Sequence, residues 1–209
     1  MINLLSTYQK IYIASAVLAS LIILFFTGLF IYHRLYKKKH YKQVTYLKLA
    51  RLAKFNDYLL LNNFRLDFDD KHFANIDHIL ISKKYIFLIT DFNLSGMITG
   101  ELRDPILRVA FNKNNAVNVS NPLNYNINLV KRLHTRYRFE PSFLKGLVVV
   151  NDDAYINITS TSEQFKMIKR KDLKKIIKKF DKENIANLKE EDVTYFINKL
   201  AKDNQNKND

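Results

Sequence analysis

The run from Ile11 to Tyr32, 22 residues without one charged side chain, constrains this chain more than any other feature. A helix rises 1.5 Å per residue and needs about 20 mostly apolar residues to cross a hydrocarbon core of roughly 30 Å. The run therefore predicts a single-pass membrane helix. Lys10 closes one end, and His33, Arg34, Lys37, Lys38, Lys39 and Lys42 follow the other. Excess Lys and Arg stay on the cytoplasmic side of a membrane. The expected topology puts residues 1–10 outside the cell membrane and everything after the run in the cytoplasm. Tyr8, Tyr12, Tyr32 and Tyr36 fall where aromatic belts form. A cleaved signal peptide would carry its charge ahead of a shorter apolar stretch and end on a small-x-small site, and neither is seen.

The formal net charge of +14 is concentrated. Residues 34–54 carry eight Lys or Arg and no acid; residues 166–182 carry nine against Asp172 and Asp181. The rest of the chain is near neutral, which argues against one broad basic groove and puts any anionic partner at two patches. The chain has no cysteine, so disulfides and thiolate metal sites are excluded.

Past a polybasic segment at 33–42, residues 43–55 show helical spacing of Tyr46, Leu47, Ala50, Leu52 and Ala53. Tyr58–Leu66 reads as a strand and Asp67–Lys71 as a polar turn. Asn75–Ser82 and Tyr85–Asp91 are apolar on both faces, which predicts central strands, and the short link between them predicts a hairpin. A strand is expected over Met97–Arg103 and a further pairing from Leu107 to Val119. Asn121-Pro122 opens a helix to about Arg138. Leu147–Val150 is a buried strand and Phe165–Ile168 a short one. Over Asp172–Lys182, Leu173, Ile176, Ile177 and Phe180 form an apolar stripe, opposed by Lys174, Lys175, Lys178, Lys179 and Lys182. Lys189–Lys202 is a last helix before a polar tail. Strands flanked by helices give an α/β class, with a domain at 43–182 and a C-terminal helix and tail at 183–209.

Four pieces in order carry a family resemblance: Ile76-Asp77-His78-Ile79-Leu80-Ile81-Ser82, then Tyr85-Ile86-Phe87-Leu88-Ile89, then Asn93-Leu94-Ser95-Gly96-Met97-Ile98-Thr99-Gly100, then Asn121-Pro122 at a helix start. Together they resemble the nuclease-related domain, NERD, of the restriction-endonuclease-like superfamily. The resemblance implies a mixed β-sheet flanked by helices. It also implies a site in which an Asp on one strand and a Glu-x-Lys on the next hold Mg²⁺ and position a water. The Asp is kept as Asp77. The Glu falls on Thr90, the Lys on Phe92 and a helix-start Gln on Tyr125. Thr90 supplies no negative charge and Phe92 cannot orient a hydroxide. Asp91, beside the lost Glu, is expected to point to the opposite face of its strand.

The expected function is a membrane-held binding or scaffolding module, catalytically inactive, with Asp77 vestigial and no cofactor. The alternative is a metal-dependent nuclease with a rearranged site, for which Mg²⁺ would be needed. Expected partners are the bilayer and its anionic headgroups, with nucleic acid as a further candidate; no protein partner is identified. Lys37, Lys38, Lys39, Lys42, Lys174, Lys175, Lys178 and Lys179 are the candidate contacts to phosphate or headgroup. For the helix at 172–182 three readings stand side by side: packing on the domain with its lysines in solvent, lying on a membrane surface, or meeting nucleic-acid phosphates.

Overall fold

The computed structural model describes residues 7–67, 73–112, 114–160 and 162–205. The chain divides into two units, residues 1–40 and 41–209. The first is one helix, α1 (Thr7–Lys39). Its stretch Ile11–Tyr36 is long and apolar enough to cross a membrane, and none of it is buried within the protein. The serine and threonine hydroxyls in this stretch bond back to their own helix: Ser15 to the Tyr12 carbonyl (2.9 Å), Ser20 to Val17 (2.8 Å), Thr27 to Ile23 (2.8 Å). These three hydroxyls are thus satisfied without a partner outside the helix, the condition a lipid environment imposes.

The second unit is built on two mixed sheets. The larger runs β1 (Leu59–Asp67), β2 (Phe73–Ile81), β3 (Ile86–Asp91), β7 (Leu144–Val150), β9 (Phe165–Lys169). Neighbours among β1, β2 and β3 are antiparallel, and β3, β7 and β9 are parallel. The smaller runs β6 (Asn115–Ser120), β5 (Ile106–Asn112), β4 (Met97–Gly100), β8 (Tyr155–Ile158). The helices are α2 (Tyr41–Asn56), α3 (Pro122–Tyr137), α4 (Leu173–Asp181) and α5 (Glu190–Gln205).

Strand alternation explains the layering. On one face of the large sheet Leu80, Phe87, Ile89, Leu147 and Val149 meet Leu49 and Leu52 of α2 and Leu173, Ile177 and Phe180 of α4. On the other, Ile79, Ile81, Ile86 and Leu88 meet Leu129 and Leu133 of α3 and Phe196 and Leu200 of α5. Both central strands are covered on both sides, as their continuous apolar sequence requires. The domain limit drawn at Lys182 leaves α5 outside, yet Phe196 and Leu200 are buried in this core.

Two elements differ from the sequence reading. β4 stops at Gly100, short of Arg103, because the chain turns there: Gly100 has φ 146° and Asp104 Oδ2 accepts the Glu101 N–H (2.9 Å). β8 was not anticipated; it is four residues long and no more than half-buried along its length, so its apolar signal is weak. Past Asp67, the polar turn read at Asp67–Lys71 lies outside the described residues.

Candidate functional site

Asp77 sits where β2 breaks its alternation. Ile76 and Ile79 both enter the core on the α3 and α5 side, an odd spacing that a regular strand forbids. The β1–β2 ladder has no rung at Asn63 and Asp77, and Asn63 adopts φ 51°, a left-handed conformation that Asn tolerates. This local twist turns Asp77 and His78, consecutive residues, toward α2. Lys42 Nζ donates to Asp77 Oδ1 (2.6 Å) and the Asp91 N–H donates to Asp77 Oδ2 (2.8 Å). Both carboxylate oxygens are therefore occupied by protein donors. The hydrogen bond to Asp77 holds the Lys42 ammonium pKa above its ordinary value, outweighing partial burial, and the charge of Asp91 adds to it.

The other family positions go elsewhere. Thr90 donates to Asn126 Oδ1 on α3 (2.9 Å), while the Nδ2 of that fully buried amide has no partner. Phe92 packs half-buried beneath the smaller sheet with Leu94 and Val148. Tyr125, on the first turns of α3, donates to the Asn75 carbonyl (3.1 Å). Burial raises its phenol pKa, and the negative charge of Asp77 pushes the same way. Thus Tyr125 borders Asp77, whereas Thr90 and Phe92 serve the core.

Asp91 points away from Thr90, as alternation demands, and enters a buried polar network that sequence reasoning missed. Its Oδ1 accepts the Thr45 hydroxyl (2.6 Å) and its Oδ2 accepts from His78 Nε2 (2.9 Å). Against a carboxylate that ring nitrogen carries a proton; the Nδ1 of His78 meets the amide of Asn62 at 2.6 Å. Arg170, immediately after β9, donates Nε to Thr45 Oγ1 (3.2 Å) and an outer nitrogen to Asn151 Oδ1 (3.0 Å). Asn151 in turn donates to Asn93 Oδ1 and Ser95 Oγ, each at 3.0 Å. Six segments distant in sequence are joined in this way. The only sequence signal was a pair of polar residues, His78 and Asp91, inside apolar strands. Among the described residues no group of three or more His, Cys, Asp or Glu is assembled for a metal ion.

The remaining motif residues have structural duties. Gly96 lies at φ 92°, and a Cβ there would come within 2.5 Å of the Ala110 carbonyl oxygen. A Cβ on Gly100 would meet Leu107 at 2.7 Å. Asn121 caps α3 by accepting the Leu123 N–H (2.9 Å), and its Nδ2 donates to the carbonyls of Glu101, Leu102 and Asp104. The family model of the nuclease-related domain matches residues 37–151.

This chain belongs to the nuclease-related domain family. No curated protein matches it, and no solved structure does. The NERD match runs from the end of α1 to the end of β7 and includes Asp77, Thr90, Phe92 and Tyr125. β8, β9, α4 and α5 lie beyond it and complete both sheets and the core of this NERD domain.

The basic segments divide between inner and outer roles. Lys42, half-exposed, is committed to Asp77. Lys39 is exposed, and the side chains of Lys37 and Lys38 lie outside the described part of the structure. On α4 the apolar stripe packs on the domain: Leu173, Ile177 and Phe180 are buried, Lys174, Lys175 and Lys179 are exposed, and Lys178 is half-exposed.

Proposed function

We propose that this chain is a NERD domain anchored by α1, held at the cytoplasmic face of the membrane, and that it binds or scaffolds there without cutting phosphodiesters. One observation carries the reading: the ammonium of Lys42 occupies Asp77 at 2.6 Å, so the single retained acid of the motif is neutralised from within the protein. A divalent ion of the Mg²⁺ type needs several oxygen ligands and compensation of its charge. Each Asp77 oxygen already accepts a protein donor, one of them a cation, Thr90 is neutral and turned to α3, and Phe92 is apolar. This donor set does not fit the ion. The motif residues that shape the backbone, Gly96, Gly100 and Asn121, all have work to do in the fold. The frame thus persists for structural reasons with the chemistry removed.

Support for the anchor comes from the length and apolarity of Ile11–Tyr36, and support for its direction from the basic residues after it. Protease added to sealed right-side-out membrane vesicles should leave the domain intact, and digestion of the domain would reverse the orientation. The catalytic reading is tested with the full chain in detergent, incubated with DNA or RNA and Mg²⁺ or Mn²⁺. No cleavage above that of the Asp77→Ala variant is expected; cleavage that D77A abolishes overturns the proposal.

The second reading, a nuclease with a rearranged site, has one observation in its favour. Asp91 follows the lost Glu position, and its backbone touches Asp77. It requires Lys42 to leave Asp77 and the Asp91 carboxylate to leave Thr45 and His78. A Lys42→Ala variant that gains metal-dependent cleavage would speak for it.

A further inference from the structure

Between α2 and α4 lies a pocket of about 410 Å³. Lys48 and Arg51 of α2 line one wall; Lys174 and Lys178 of α4, with Lys171 just before that helix, line the other. Among the described residues no acidic side chain lines it. Phe55, at the end of α2, borders the same pocket and is 80% exposed. Arg51, Lys171, Lys174 and Lys178 alone bring four cations to a lining in which the described residues include no acid; they repel one another, a cost relieved by a bound anion. An apolar ring left in water beside them adds a second unsatisfied demand.

We infer that this pocket binds the phosphate of an anionic phospholipid headgroup, with Phe55 entering the apolar region beside it. Three features select a lipid. Basic side chains around an exposed aromatic ring match the two layers of a membrane surface, charged headgroup and acyl boundary. The lining of this pocket holds one ring, whereas a nucleic-acid strand calls for a groove tracking several phosphates and a series of stacking rings. Finally, Lys48 and Arg51 follow Tyr36, the last residue of the stretch long enough to span a membrane, within one further helix of the chain. A tether of that kind gives lipid phosphates a high effective concentration. The inference rests on the anchorage proposed above. It adds a site that the family match does not contain, since Lys171, Lys174 and Lys178 all lie beyond residue 151.

The chain has no tryptophan, so Phe55→Trp supplies a single reporter at the mouth of the pocket. The full F55W chain is placed in nanodiscs of phosphatidylcholine alone or of phosphatidylcholine with phosphatidylglycerol. Emission should shift to the blue and be quenched by brominated acyl chains only where phosphatidylglycerol is present. K174Q/K178Q on the F55W background should lose that shift, while K175Q/K179Q, on the same helix but outside the pocket lining, should keep it. Incorporation into discs reports the anchor separately. Protein that stays outside both kinds of disc overturns the anchorage and this inference with it. Protein that is incorporated but emits identically in both overturns the inference alone, as does equal loss in the two double variants. Inorganic phosphate or a single-stranded oligonucleotide, added to the neutral discs, should leave the emission unchanged. A shift with either one, removed by K174Q/K178Q, reassigns the pocket to that anion and overturns the lipid assignment.

Discussion

One helix, α2, serves two clusters of charge that differ in a single respect. Along its first half Lys42 and Thr45 face acids: Lys42 meets Asp77, and Thr45 stands between Asp91 and Arg170. Toward its end Arg51 faces Lys171, Lys174 and Lys178 across a pocket with no acid in its lining among the described residues. Lys48 belongs to both, donating to the Arg170 carbonyl (3.0 Å) while it borders the pocket. The first cluster is closed, because each charge has its counterpart within the fold. The second is open, because its lining brings several cations together with no acid among the described residues. A closed cluster stabilises the protein and is a poor trap for a ligand; an open one contributes little stability and attracts an anion from outside.

Substitutions in the closed cluster should therefore cost stability, and those in the open one should not. The largest loss is expected for Asp91→Ala, since the His78–Asp91 pair is almost wholly buried, with side chains 4% and 0% exposed. Leaving a buried donor unsatisfied costs about 1–3 kcal/mol, and Asp91→Ala orphans both the Thr45 hydroxyl and the His78 ring nitrogen, which should appear as a marked fall in the thermal midpoint of the full chain in detergent. Thr45→Val should cost about 1–3 kcal/mol by leaving Asp91 Oδ1 and Arg170 Nε without their hydroxyl. Either loss failing to appear would mean that the network is not closed.

Alkaline pH probes the far end of α4, where Tyr85 donates to Glu183 and Tyr58 to Asp181. Burial, reinforced by the Glu183 carboxylate, pushes the Tyr85 phenol from 10.0 up to about 12, and burial with Asp181 raises Tyr58 as well. A raised folded-state pKa contributes stability that is whole below the unfolded value and is lost as pH climbs to the folded one. Stability should hold to about pH 10 and fall between pH 10 and 12, and Tyr85→Phe should flatten part of that fall. Smaller still is Lys42→Ala, below about 1 kcal/mol because the ammonium is half in solvent. K174Q/K178Q should change stability by less than about 0.5 kcal/mol; a larger cost would show that the pocket lysines are structural.

The sequence made the secondary structure legible wherever burial was two-sided or periodic. The continuous apolar character of Asn75–Ser82 and Tyr85–Asp91 marked the central hairpin, and the stripe Leu173, Ile177, Phe180 marked α4. The exposed edge strand β8 gave too little apolar contrast. At the site, chain order located Asp77, Thr90, Phe92 and Tyr125 but could not say which way each side chain turns. The twist at Asn63 and Asp77 decides that, and it depends on two strands pairing. Lys42 read as a surface lysine because its partner is 35 residues away in sequence. Arg170 and Asn151 were equally silent: a buried guanidinium looks like any basic residue until the fold brings it an amide and a hydroxyl.

The measurement closest to the central claim is a calorimetric titration of Mn²⁺ into the full chain in detergent, set beside the same titration of Asp77→Ala. With Lys42 held on Asp77, the two should give the same heats and no stoichiometric site. One-to-one binding in the native chain that disappears in D77A would show that the carboxylate is open to metal, and the account of a silenced pocket would be wrong.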